Sequence, residues 1–325
     1  MKKTLICLLA ILVLACSAAS ANGGSEAAAP AAEKKTYTVG ICQLVQHVAL
    51  DAATDGFRDA IIEALGKDNV TFSYNNASGD SATVATIINN LVSANVDLIM
   101  ANATPPLQAA ASATEKIPIL GTSITDYASA LGMPLNASGA TGINVSGASD
   151  LAPLDGQAAM IKELFPEAKN VGLLYCSAEA NSIYQITEIE KHLDALGIGH
   201  TRFAFTDSND VSSVTQSACN SCDVLYIPTD NTAASCTEAI RNVVEPAKKP
   251  VVAGEEGICA GCGVATLTIS YYDLGVTTGK MAVKVLQGAD VSKMPVEYAA
   301  NPIKKYNKEL CEIMGVKVPS DYTAI

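Results

Sequence analysis

A chain of 325 residues, 49% of them hydrophobic, exceeds the usual single-domain size of roughly 100–200 residues and has ample apolar side chain for two cores, which excludes global disorder. Trp is absent and only 5% of residues are aromatic, so Ala, Val, Ile and Leu must fill those cores. With 21 basic against 33 acidic residues the formal charge is −12, which lacks the electrostatic footprint of a nucleic-acid binder.

The first residues read as an export signal. Lys2 and Lys3 form a positive start, Leu5 to Leu14 is an apolar run too short to span a bilayer comfortably, and small residues follow. Val13-Leu14-Ala15-Cys16 resembles the bacterial lipobox, in which the cysteine becomes the lipidated first residue of the mature chain; this predicts a signal peptide over 1–15 and lipidation at Cys16. Residues 16–36 are rich in Ala, Ser, Gly, Glu and Pro and have little to bury, as in a flexible tether.

From Tyr37 onward, strands and helices alternate. A β-rich run over Tyr37–Leu44 precedes a helix from His47 to Leu65, where Leu50, Ala53, Phe57, Ile61 and Leu65 recur at spacings of three and four. A strand over 70–74, a helix over 80–94 and short apolar strands at 97–101 and 117–121 follow, with Pro105 and Pro106 opening a helix between the last two. The cycle resumes after Asp150 with helices over 153–165, 182–196, 211–218 and 232–244, interleaved with strands at 171–175, 201–205, 224–227 and 250–253. Short strands that are apolar throughout, alternating with helices, mean parallel sheets covered on both faces. Two such series predict an α/β protein of two doubly wound, Rossmann-like lobes. The Gly-spaced stretch Gly139–Gly147 reads as a first interlobe crossing, and the strand 267–270, helix 272–286 and terminal elements read as further crossings. The lobes are then 37–144 plus 272–295, and 145–271 plus 296–325.

Ligands of open parallel sheets bind beyond the C-terminal ends of the strands. The loops there hold Gln43, His47, Thr104, Thr122, Ser123, Thr125, Asp126, Tyr127, Tyr175, Thr229, Asp230, Asn231 and Glu255. Hydroxyls and helix starts suit a carboxylate, whereas Asp126, Asp230 or Glu255 suits an ammonium group, so the set favours a zwitterion. For any single Thr, Ser or Asp, helix capping explains the residue equally well. Tyr127, Tyr175 and Tyr226 are the aromatics nearest the cleft and would supply flat walls, although Tyr226 could equally point into the core.

Catalytic signatures are missing: no G-x-S-x-G elbow, no phosphate loop and no dinucleotide fingerprint occurs, and His47, His192 and His200 form no evident metal cluster. No cofactor or metal is expected. Ten cysteines are present, and two pairs have C-x-x-C spacing, Cys219/Cys222 and Cys259/Cys262. Export favours disulfides among these four, with free thiols or zinc as alternatives.

Several segments together carry a family resemblance: Val39-Gly-Ile-Cys-Gln-Leu with His47-Val-Ala-Leu-Asp51, Ala103-Thr-Pro, Thr125-Asp126, Pro228-Thr-Asp-Asn231, Ser270-Tyr-Tyr-Asp-Leu-Gly275, and Asn307-Lys-Glu-Leu with Met-Gly-Val-Lys-Val-Pro319. Over about Tyr37 to Pro319 the chain resembles bacterial ABC-transporter substrate-binding lipoproteins of the tryptophan/tyrosine-binding type. The C-x-x-C pairs depart from that pattern. The resemblance implies a type I periplasmic-binding-protein fold with three crossings, a hinge that closes on an aromatic amino acid, and no enzymatic activity. It also implies a monomer anchored by lipid to the outer face of the membrane, or periplasmic, with ABC permease and ATPase subunits as partners. A branched amino acid, nucleoside or sugar as ligand, or a ligand-sensing role, is the alternative.

Overall fold

The computed structural model describes residues 35–325. The signal peptide, Cys16 and nearly all of the tether lie outside the described residues.

The first sheet takes its strands from both ends of the described chain. It contains β1 (Tyr37–Gln43), β2 (Val70–Asn76), β3 (Leu98–Asn102), β4 (Ile119–Ile124), β5 (Val145–Ser149) and β11 (Glu297–Tyr298), in the order β11-β5-β4-β3-β1-β2, all parallel. Between them run α1 (Val48–Leu65), α2 (Ser81–Ser93), α3 (Thr104–Ala113) and the short α4 (Tyr127–Leu131). The period-two pattern of the strands explains why both faces are covered. Val39, Ile41, Leu98 and Met100 face one way, into a core with Phe57 and Ile61 of α1. Cys42, Ile99 and Ala101 face the other, against Leu91 of α2 and Leu107 of α3.

The second lobe follows the same plan. It holds α5 (Leu154–Leu164), β6 (Asn170–Cys176), α6 (Ala180–Ala195), β7 (Gly199–Phe205), α7 (Val211–Ser221) and β8 (Val224–Ile227). The chain continues through α8 (Asn231–Ser235), α9 (Thr237–Val244), β9 (Val251–Ala253), α10 (Glu256–Cys262) and β10 (Ala265–Thr268). After α11 (Tyr271–Leu286), which belongs to the first lobe, β12 (Ile303–Tyr306), α12 (Lys308–Met314) and β13 (Thr323–Ala324) complete a seven-stranded sheet ordered β13-β12-β10-β9-β8-β6-β7. Only the β10–β12 pair is antiparallel.

The lobes are therefore joined three times, by residues 150–153, 269–270 and 299–302. The boundary at 144/145 moves to the end of β5, because Val145 to Ser149 pairs with β4 and not with any second-lobe strand. Likewise Glu297 and Tyr298 pair with β5, so 296–298 belongs to the first lobe. The helix over 232–244 is broken at Cys236 into α8 and α9, and α10, which carries Cys259 and Cys262, is an additional helix.

Helix α11 returns to the first lobe by lying on α1 at very short range. A β-carbon on Gly275 would collide with the backbone carbonyl of Ala53, and one on Gly56 with that of Tyr272. Gly279 approaches the carbonyl of Phe57, where a β-carbon would sit at 2.6 Å. Only glycine permits this contact between the two backbones.

Among the described residues the cysteines form no disulfides. All eight in the described chain are free thiols, and Cys219, Cys222, Cys259 and Cys262 pack inside one apolar cluster with Leu225, Ile240 and Val251. In place of the expected links they act as small apolar groups. Burial pushes the thiols up, to about 12 at Cys42 and about 11 at Cys176 and Cys311, away from the reactive thiolate form.

Candidate functional site

The C-terminal ends of both sheets face each other across a small interlobe cavity. Its walls are His47, Leu50, Ser123, Thr125 and Asp150 from the first lobe and its first crossing, then Asn181, Thr229, Asp230, Asn231 and Glu255 from the second, and Tyr271 at the start of α11. Neither Lys nor Arg lines it.

Each wall residue is placed by its element's end. His47 is the N-cap residue of α1 in an extended conformation, and no side chain caps that helix. Its free first-turn N–H groups therefore lie beside the cavity. Ser123, at the end of β4, has φ of 57°, and Ala103, between β3 and α3, has φ of 98°. Non-glycine residues held in this region cluster at functional sites because surrounding packing must enforce them. Asp230 starts α8 and is fully committed: Oδ1 accepts from the Ala233 N–H at 2.8 Å and Oδ2 from the Cys176 N–H at 2.6 Å. Glu255 caps α10 by accepting the Gly257 and Ile258 N–H groups.

Direct hydrogen bonds between lobes close the cavity. His47 Nε2 lies 3.3 Å from Asn231 Oδ1, and Gln185 Nε2, which is held within the second lobe by Thr229 Oγ1 at 2.6 Å, donates across to Thr125 Oγ1 at 3.2 Å. At the crossings, Tyr271 donates its hydroxyl to Asp150 Oδ2.

The remaining polar atoms are unusual. His47 Nδ1, Ser123 Oγ, Asp150 Oδ1 and Asn181 Oδ1 are all buried without a hydrogen-bond partner, and all four residues line the cavity. Thr122 Oγ1, next to Ser123, is a fifth such atom. Orphaned polar atoms are costly, at about 1–3 kcal/mol each, so their concentration at one place marks a site for a polar ligand. Asp150 and Asn181 present acceptors: Asn181 Nδ2 already donates to Glu179, Ser182 and the Thr229 carbonyl, which leaves its oxygen free. Burial raises the Asp150 carboxyl to about 6 and the Glu255 carboxyl to about 7. Burial, with Glu179 nearby, likewise raises that of Asp230. The cavity thus holds buried carboxyls with no Lys or Arg beside them.

Of the thirteen residues singled out by sequence, the cavity gathers His47, Ser123, Thr125, Thr229, Asp230, Asn231 and Glu255. Gln43 instead fastens α1, donating to Asp51 Oδ1 at 2.7 Å and accepting from Thr54. Thr104 and Asp126 line a neighbouring interlobe space with Tyr184, and Asp126 caps α4 through the Ser129 N–H. The three tyrosines expected to wall the cleft do not line this cavity. Tyr127 donates to the Gly121 carbonyl inside the first core, and Tyr175 and Tyr226 lie in the second core, facing the side of the sheet that period two assigns them. Sequence reasoning missed Leu50, Asp150, Asn181 and Tyr271. Asp150 carries a usable signal, since it directly follows β5, but the Gly-spaced stretch Gly139–Gly147 masks that strand by resembling a crossing.

Two lobes of this topology, hinged by three crossings around a closed polar cavity, define a ligand-binding receptor. Residues 38–323 match the family of ABC transporter substrate binding proteins, and the chain belongs to that family. It is similar to a tyrosine-binding protein of Clostridioides difficile strain R20291, with 34% identity over 88% of this chain and 83% of the relative. It also resembles an ABC domain from Streptococcus pneumoniae solved in complex with L-Trp, at 32% identity and a TM-score of 0.86, over 90% of this chain and 100% of the other. A ligand-free, open substrate binding protein with adhesive properties from Clostridium difficile superposes with a TM-score of 0.68 at 34% identity, over 89% of this chain and 99% of the other. At nearly equal identity, the chain superposes better on the L-Trp complex than on the open relative. The chain is the extracytoplasmic substrate-binding component of an ABC transporter.

Proposed function

We propose that the protein captures an α-amino acid, an aromatic one, by closing its lobes over it. The observation that carries this reading is the pair of unpartnered acceptors, Asp150 Oδ1 and Asn181 Oδ1, in a cavity with no fixed cation. An ammonium group supplies the missing donors and the missing positive charge together. Asp150 takes this role in preference to Asp230, whose two oxygens are already held by backbone N–H groups. The ligand carboxylate lies against Ser123 Oγ and the uncapped first turn of α1. The aromatic preference draws on the two relatives bearing tyrosine and tryptophan in their descriptions, with Leu50 and Tyr271 as the apolar faces of the cavity. Closure shifts the population toward the form that the transporter recognises.

The reading extends to the cell. Signal cleavage leaves Cys16 lipidated, and the tether holds a monomeric receptor off the membrane beside its permease and ATPase. Calorimetric titration with the twenty amino acids, nucleosides and sugars tests the ligand class. Binding of L-tyrosine or L-tryptophan is expected; binding of only a sugar or nucleoside overturns it.

A further inference from the structure

The His47–Asn231 contact fixes more than the lobe angle. Asn231 Nδ2 donates to Glu179 Oε2 at 2.6 Å, and a carboxylate that also accepts from Asn181 Nδ2, the Asn231 and Thr232 N–H groups and Thr232 Oγ1 can only be an acceptor. The Asn231 amide is thereby oriented, and its oxygen is the atom that meets His47 Nε2 at 3.3 Å. An amide oxygen cannot donate, so the proton of that contact belongs to Nε2. A neutral imidazole with its proton on Nε2 has a lone pair on Nδ1, and Nδ1 is the buried ring atom left without a partner. Burial favours the neutral ring, against the opposing pull of Glu179 and Asp51. Asn231 also lines the outer groove beside Leu44, Pro105 and Glu179, so the contact separates that groove from the cavity.

We propose that Glu179 and Asn231 of the second lobe set the tautomer of His47 in the first, so that closure makes Nδ1 an acceptor for the ligand's ammonium group. This rests on the amino-acid reading above. Its consequence is that recognition and closure share an atom pair: in an open receptor His47 loses Asn231 and either ring nitrogen is free to carry the proton. Glu179 and Asn231 are positioning residues, and His47 is the one that touches ligand.

The test is long-range proton–nitrogen NMR on the full chain labelled at histidine, saturated with L-tyrosine, with the His47 signal assigned by its loss in His47→Gln. The ligand-bound protein is expected to show the proton on Nε2 and a bare Nδ1. Asn231→Ala should mix the tautomers and weaken L-tyrosine about tenfold. Asn231→Asp, which still offers an acceptor, should keep the Nε2–H form. His47→Gln, which retains a polar atom near Nε2 but none near Nδ1, should fold and bind at least tenfold more weakly. A proton on Nδ1 in the bound wild type, or unchanged tautomer and affinity in Asn231→Ala, overturns the proposal while leaving the amino-acid reading intact. Failure of the wild type to bind any amino acid overturns both.

Discussion

The Tyr271 hydroxyl donates to Asp150 Oδ2 at 2.8 Å, tying the residue that opens the first crossing to the residue that follows the second. The bond leaves only Oδ1 of Asp150 for a ligand, and it sits where the lobes turn on one another. Asp150→Asn should weaken L-tyrosine by about 1.5–3 kcal/mol, tenfold or more, since a charge-assisted contact is lost. Tyr271→Phe should weaken it less and leave the fold unchanged. Titration calorimetry on both variants checks the order.

Asp230→Asn makes the opposite case. Its oxygens cap α8 and hold β6, so the expected loss is about 1 kcal/mol of stability with a smaller effect on affinity than Asp150→Asn. Thermal melts alongside calorimetry separate the two; a larger affinity loss at Asp230 would return the ammonium contact to that residue.

Ligand binding should depend on pH with a definite sign. Burial raises the Asp150 carboxyl to about 6, and an ammonium partner lowers that value by favouring the charged form. Between the two values the bound protein holds fewer protons, so affinity rises with pH up to about 6 and levels above it. Protonation of His47 at low pH acts in the same direction. Glu255, raised to about 7, and Asp230 line the same cavity but keep their backbone N–H partners. Calorimetry at pH 6 in buffers of different ionisation enthalpy should show proton release on binding, and at pH 8 much less.

The α1–α11 contact should be intolerant of any side chain. Gly275→Ala places a methyl against the Ala53 carbonyl and is expected to destabilise by about 1–3 kcal/mol. Because α11 also carries Tyr271, ligand affinity should fall as well, whereas Gly288→Ala, in open space but at φ of 105°, should cost stability alone. Urea unfolding and calorimetry compare the two.

Cys16→Ser should leave the body folded and release it from membranes, read by fractionation of cells carrying each form. Thiol labelling adds a second check on the cysteines. Half-exposed Cys236 should react first and the seven buried ones only on unfolding; peptides cross-linked among Cys219, Cys222, Cys259 and Cys262 would contradict the free-thiol state.

The alternation of elements was legible because strands such as Leu98–Asn102 are apolar at every position but the last and buried throughout, a pattern that a doubly covered parallel sheet requires. The second lobe's short helix α10 was not, since Gly257, Gly261 and two cysteines give it little helical signature. Strand-end loops pointed to the right region of the molecule but could not rank the residues within it. Asp126, Asp230 and Glu255 have the same sequence context, and only the hydrogen bonds show that all three spend oxygens on helix caps. The tyrosines were misplaced for a simpler reason: Tyr175 and Tyr226 sit on strands, where one residue of register decides between core and cleft.

The two lobes are interleaved along the chain, and this sets a timetable. Helix α1 exposes Ala53, Gly56 and Phe57 to whatever surrounds the nascent chain until α11 has been synthesised, and the β5 edge waits for Glu297 and Tyr298. Most of the polypeptide therefore leaves the ribosome before either lobe has its full set of neighbours. A chain built in this order leaves the edge of its first sheet unpaired until the strand at 297–298 has been made, long after the rest of that sheet.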